Sequence, residues 1–140
     1  MSMNSLKDIE RQRAQYAYNC AVKGSQIKNR GEYKSYVKKI PMLIKTNGLA
    51  PTFAFIYSKR SDDSSKSGYA YKMIYDQVKE WLIDEDLGLI DISNSSDLQS
   101  DNELVKKIIE LDSSTYRAIT EEILSFFNWL RRFAEGLIKE

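Results

Sequence analysis

Histidine does not occur among the 140 residues of this chain, and cysteine occurs once, as Cys20. The first absence removes the commonest general base and the commonest metal ligand. The second excludes an internal disulfide and a thiolate-built zinc site, and it points to a reducing cytoplasm. No run of about 18 apolar residues is present, so no membrane span is expected. The opening MSMNSLKDIERQR lacks the apolar centre of a signal peptide. Neither a GxxxxGK[ST] phosphate loop nor a GxGxxG run can be found. No cofactor and no metal are therefore expected. Proline is scarce as well, with only Pro41 and Pro51.

What remains is enough for a core. The chain is 42% hydrophobic, and its length suits a single domain spanning 1–140. Every long segment shows helical period and none alternates like a strand. The first helix is predicted over 5–28, capped by Asn4 or Ser5 and ended by Asn29-Arg30-Gly31. Its stripe is Leu6, Ile9, Tyr16, Cys20, Gly24 and Ile27, where small residues would let another helix approach. The second, over 32–46, carries Tyr33, Tyr36, Val37, Ile40, Leu43 and Ile44 at one-face spacing. Pro41 lies inside it, so a kink or a restart is expected. Gly48 can take the left-handed conformation that closes a helix. Pro51 falls near the start of a third helix burying Phe53, Ala54, Ile56 and Tyr57. A polar loop at 61–68 follows, the best site for disorder or nicking.

A fourth helix over 68–86 buries Ala70, Met73, Ile74, Gln77, Val78, Trp81 and Leu82. Leu89, Ile90 and Ile92 can tuck onto the core from a second polar stretch. Ser100-x-x-Glu103 is a capping box for a fifth helix, 101–111, with Leu104, Val105, Ile108 and Ile109 inward. Asp112-Ser113 caps the last helix, 114–138. Its stripe of Tyr116, Ile119, Ile123, Phe126, Phe127, Leu130, Phe133 and Leu137 is the longest in the chain. The expected architecture is an all-α, single-domain bundle of about six helices.

Charge is divided unevenly. Residues 1–60 carry twelve Lys and Arg against three acids, and residues 61–140 carry nine against seventeen, giving +9 and −8. Such a division can present a basic face to a polyanion and an acidic face to a basic neighbour, permitting head-to-tail self-association. Folding can equally mix the two halves. The basic residues concentrate in the stretch Val37–Arg60, as Lys38, Lys39, Lys45, Lys59 and Arg60, with Arg131 and Arg132 on the last helix. Tyr33, Tyr36 and Tyr57 are interleaved; tyrosines can stack on unpaired bases, but these also fit core positions. Asp84-Glu85-Asp86 and Glu121-Glu122 are the carboxylates available for catalysis. Adjacent residues diverge on a helix, so neither group converges by itself, and a solvated acidic face is the simpler reading. A helical protein-interaction module with no nucleic-acid role stays open as an alternative.

Four segments carry a family resemblance: ERQRAQYAYNCAV (10–22), YVKKIPMLIKTNGLAPTFAF (36–55), YDQVKEWL (75–82) and YRAITEEILSFFNWLRRFAEGL (116–137). In this order they resemble the small α-helical subunit of the type III-B CRISPR (Cmr) RNA-targeting effector complex. The resemblance implies an all-helical, non-catalytic subunit. It would stack along a filament of other Cmr effector subunits and help form the basic channel where CRISPR RNA pairs with target RNA. Carried over by segment, the implied RNA-binding residues are Lys38, Lys39 and Lys45, then Lys59, Arg60, Arg131 and Arg132. Arg11 and Arg13 match the opening motif, where one of them can instead be a structural ion-pair partner. The loops 61–68 and 88–99 match nothing in the family pattern.

Overall fold

Each apolar stripe becomes a helix in the computed structural model, which describes residues 3–84 and 103–139. The helices are α1 (Met3–Gly24), α2 (Arg30–Asn47), α3 (Leu49–Lys59), α4 (Gly68–Ile83), α5 (Glu103–Glu110) and α6 (Ser113–Leu137). No strand occurs among the described residues.

α6 is the packing centre. The Asp112 side chain accepts the Thr115 amide at 2.8 Å and opens the helix. That bond holds the Asp112 carboxyl below its usual value. Ile119, Ile123, Phe126, Phe127, Leu130 and Ala134 are then buried on one side. A large apolar side chain so enclosed contributes about 1.5–3 kcal/mol. α1 lies along α6 in the same sense, pairing Arg13 with Glu122, Tyr16 with Phe126 and Tyr18 with Phe133. α2 runs against it in the opposite sense, from Ile138 beside Lys34 to Glu135 beside Lys38. Beyond the end of α2, the Tyr116 hydroxyl accepts the Ala50 amide at 2.8 Å. This satisfies one of the free donors at the start of α3.

α4 is joined to α1 and α2 by buried polar links. The Tyr33 hydroxyl donates to Gln77 Oε1 at 2.7 Å, and Gln77 Nε2 donates to the Cys20 carbonyl at 3.2 Å. Tyr16 donates to the Gln77 carbonyl at 2.6 Å and stacks on Trp81 at 5.3 Å. The small-residue stripe of α1 explains the close approach: Ala17 and Ala21 are buried, and a Cβ on Gly24 would overlap the Tyr33 ring.

Several boundaries differ from expectation. α1 already includes residues 4 and 5, and it ends at Gly24 rather than 28. The chain turns there, with the Ser25 hydroxyl on the Val22 carbonyl, and this brings Tyr33 onto Gly24. Asn29 occupies the N-cap position of α2, so Arg30 and Gly31 begin that helix instead of ending α1. α2 passes through Pro41 without a restart. Gly48 has the expected positive φ of 95°, but its ψ of 163° is extended rather than left-handed helical. That combination suits glycine alone. Its amide still closes α2 on the Ile44 carbonyl at 2.8 Å.

α3 consequently begins at Leu49, and Pro51 is its third residue, where a missing donor still costs nothing. Phe53 and Ile56 are buried as expected, joined by Leu49 and Thr52, while Ala54 is exposed and Tyr57 half-buried. Thr52 is accommodated because its hydroxyl donates to the Gly48 carbonyl at 2.8 Å. Ile109 and Leu137, expected inside, are 65% and 39% exposed near the ends of α5 and α6. The 61–68 loop is folded on itself: Asp63 accepts from the Ser65 amide, and the Ser61 amide bonds the Gly68 carbonyl. α4 stops at Ile83. Glu85, Asp86, Leu89, Ile90, Ile92 and Ser100 lie outside the described residues.

The Gly24 contact can be tested by substitution. Gly24→Ala is expected to lose about 1–3 kcal/mol of unfolding free energy through overpacking on Tyr33, despite alanine's better helix propensity. Gly136→Ala, whose Cβ meets nothing within 4 Å, is expected instead to gain up to about 1 kcal/mol. Urea unfolding of both variants checks the pair.

Candidate nucleic-acid interface

Consecutive helical residues project about 100° apart, so Lys38 and Lys39 reach different sides of α2. The structure places them on two grooves.

The first groove lies between α2 and α6 and has a volume of about 400 Å³. Lys38, Lys45 and Arg131 line it together with Pro41, Met42 and Glu121. Arg132 joins Lys38, Arg131 and Glu135 in an adjoining depression. Lys38 pairs with Glu135 at 3.0 Å, with both side chains about half exposed. The bond to Lys38 holds the Glu135 carboxyl below its usual value. Met42 is 69% exposed beside these charges. The last helix therefore does bring its arginines to the hairpin lysines, which sequence could not establish because residues far apart in the chain meet only on folding.

The second groove lies between α2 and α3, with a volume of about 480 Å³. Lys39, Leu43, Asn47, Pro51, Thr52 and Phe55 line it. The Lys39 ammonium sits 5.7 Å from the Phe55 ring centre and donates to the Tyr71 hydroxyl at 3.3 Å. Lys59 lies 5.7 Å from the same ring. Both are within cation–π range.

Arg60 sits apart from both grooves. Its guanidinium lies 3.9 Å from the Tyr57 ring centre, and its Nε donates to the Tyr57 carbonyl at 3.0 Å. Arg11 is exposed on α1. Arg13 has a structural role. Its Nε and Nη2 form a bidentate pair with Glu122 at 2.6 and 2.7 Å, and Trp81 Nε1 donates to the same carboxylate at 2.9 Å. The two side chains are only 15% and 11% exposed. The hydrogen bond to Glu122 raises the Arg13 pKa further. Of the two arginines in the opening motif, Arg13 is thus the ion-pair partner, and it ties α1, α4 and α6 together.

The three tyrosines considered as stacking residues are all engaged within the protein. Tyr33 is fully buried, Tyr36 stacks on Tyr71 at 3.8 Å and 10°, and Tyr57 lies under Arg60. The aromatic that sequence reading missed is Phe55, which is 36% exposed. The signal was present: with Leu49, Thr52, Phe53 and Ile56 as the inner face of α3, position 55 must point outward.

The carboxylates diverge as their adjacency requires. Glu122 is held by Arg13 and Trp81, whereas Glu121 is exposed on the α2–α6 groove. Among the described residues, no group of three or more His, Cys, Asp or Glu could hold a metal ion. Among them too, no helix is long and apolar enough to cross a membrane. Cys20 is buried, which pushes its thiol up to about 12.

A family model described as CRISPR-associated protein (Cas_Cmr5) matches residues 9–137. This chain belongs to the Cmr5 family. The CRISPR system Cmr subunit Cmr5 of Thermus thermophilus is 28% identical over 127 residues, covering 91% of this chain and 93% of that protein. The X-ray structure of a CRISPR-associated Cmr5 family protein from Thermus thermophilus is similar with a TM-score of 0.71 and 25% identity, over 94% of this chain and 97% of that one. The resemblance to the small Cmr subunit therefore holds at the level of family and fold. The Cmr5 match spans every described helix except the first turns of α1.

The two motif arginines separate by stability. Arg13→Ala is expected to cost about 2–4 kcal/mol, because it leaves Glu122 screened from water without its cation. Arg11→Ala is expected to stay within about 0.5 kcal/mol of the parent. Thermal and urea unfolding check both. The Cys20 thiol is expected to resist an aromatic disulfide reagent at pH 8 in the folded chain and to react fully once the chain is unfolded.

Proposed function

We propose that this Cmr5-family chain is a non-catalytic small subunit of the Cmr RNA-silencing ribonucleoprotein, and that α2 with its neighbours contributes a basic surface to the channel for CRISPR RNA and target RNA. The observation behind the surface is the gathering of Lys38, Lys45, Arg131 and Arg132 along one edge of the α2–α6 packing, with Lys39 and Lys59 on the opposite flank of α2. Arg60 and Arg11 extend this set less directly, each lying away from the two grooves. The mechanism is electrostatic: cations neutralise phosphates and release counterions, so binding tolerates sequence and weakens with salt. A single copy reaches few phosphates. Copies stacked beside other Cmr subunits gain by multivalency, and the charge division along the chain suits head-to-tail contact between them.

A second reading rests on the α2–α6 groove itself. Exposed Met42 beside Pro41 offers an apolar contact between cations, which suits an acidic segment of a neighbouring protein.

Filter binding of RNA against salt, by the chain alone and in its assembled complex, separates the readings. Removing one cation from a phosphate lowers the slope of log affinity against log salt by about 0.7–0.9. The combined Lys45→Gln, Arg131→Gln, Arg132→Gln variant is therefore expected to bind RNA more weakly and to reduce that slope by about two, with its melting temperature nearly unchanged. An unchanged slope together with loss of a protein partner from the complex supports the second reading. Absence of RNA binding by the parent, alone and assembled, would overturn the first.

A further inference from the structure

Phe55 is a large aromatic left part-exposed in an otherwise well-packed hairpin, and its surroundings hold it firmly. Its ring meets Tyr71 edge-on at 5.9 Å and 87°, and Tyr71 is itself clamped face-to-face by Tyr36. A ring so held needs no ordering before it binds something. Leu43 and Pro51 supply apolar walls to the groove. Asn47, exposed at the end of α2, offers both a donor and an acceptor at the rim. The Thr52 hydroxyl is already committed to the Gly48 carbonyl and adds no polar contact.

Among the described residues, the charge lining this groove is of one sign. Lys39 and Lys59 approach it from two helices, α2 and α3, and neither forms an ion pair among the described residues. Among those residues, no carboxylate lines the groove. The α2–α6 groove differs on this point, since Glu121 lines it and Glu135 holds Lys38. A ring with two ammonium groups 5.7 Å from its centre, neither ion-paired among the described residues, fits a ligand that is itself a flat ring flanked by anions. An unpaired base in a nucleic-acid strand has that form, with a phosphate on either side. A base within a duplex has both faces covered by its neighbours and cannot offer one.

We propose that the α2–α3 groove seats one unpaired base of single-stranded RNA on Phe55, with Lys39 and Lys59 taking the flanking phosphates and Asn47 facing the base edge. The assignment rests on the reading that this chain contacts RNA, and it adds a base-dependent contact that a purely phosphate-binding surface lacks. Base–aromatic stacking tolerates sequence, so the groove would accept any base.

Phe55→Leu keeps apolar volume at a part-exposed position and removes the stacking face. Binding is measured at low salt with a single-stranded oligouridine, an abasic ribose-phosphate strand of equal length and an RNA duplex, on the full chain and in its assembled complex. Phe55→Leu is expected to weaken oligouridine binding about tenfold, with abasic and duplex binding and the salt slope unchanged. Irradiation of a 5-iodouridine strand is expected to label the tryptic peptide 46–59 at Phe55 in the parent chain. Equal weakening on the abasic strand, or full oligouridine affinity in Phe55→Leu with no label on that peptide, overturns the base seat while leaving the phosphate surface standing. Failure of the parent to bind any of the three probes removes both. Binding of an acidic peptide that Lys39→Gln abolishes, with no RNA label at Phe55, assigns the groove to a protein partner and likewise overturns the proposal.

Discussion

Burial of α6 along its length is the constraint on which this fold depends. A 25-residue helix with Ile119, Ile123, Phe126, Phe127, Leu130 and Ala134 on one side must be enclosed, and α1 and α2 pack along it, one in the same sense and one in the opposite sense. Apolar burial alone does not set the register of these helices, because one greasy stripe can slide on another. The polar contacts set it. Glu122 must meet both guanidinium nitrogens of Arg13 and the Trp81 indole, and the Tyr116 hydroxyl must meet the Ala50 amide. Each bond is satisfied at one register only. Slipping by a turn would leave a screened carboxylate without its cation.

That arrangement makes α2 a ridge with two flanks. One flank is closed by α6 and carries mixed charge, where Lys38 is already paired with Glu135. The other is closed by α3 and carries lysines over an aromatic ring. The two surfaces differ in chemistry although they share one helix, since residues one apart on a helix point about 100° apart. A charged rim that looks uniform along the chain is therefore two surfaces in space. Pro41 belongs to the mixed flank, beside Met42 and Lys45. Its helix continues through it, without the amide that would have bonded the Val37 carbonyl.

Much of this fold was legible. The helical periods, the Asp112 cap and the long α6 stripe are local patterns, and local patterns survive folding. The departures have physical causes. α1 is shorter than its stripe because Gly24 accepts the Tyr33 ring and the chain must turn to deliver it. Ile109 lies on a helical stripe yet stands 65% exposed on the short α5. The tyrosines matched both a core and a binding role by residue type, and only their partners decide: Gln77 for Tyr33, Tyr71 for Tyr36, Arg60 for Tyr57. Phe55 was hidden for a simpler reason. An aromatic is a core residue by type, and only the packing of α3 on Leu49, Thr52, Phe53 and Ile56 leaves position 55 at the surface.

By itself, the sequence determined the class of protein: an all-helical chain without histidine, with one thiol on an apolar stripe, and with its cations gathered in the first half and on the last helix. It also determined the Cmr5 family, whose model matches residues 9–137. Tertiary structure alone decided which cations keep company. Arg11 and Arg13 are two apart in one motif, yet one faces solvent and the other is locked to Glu122. Lys38 and Arg131 are distant in sequence and share a groove, whereas Lys38 and Lys39 are neighbours and do not. Charge acts through space, with a reach of about 8 Å in physiological salt, and spatial proximity is the one property that a list of residues does not carry.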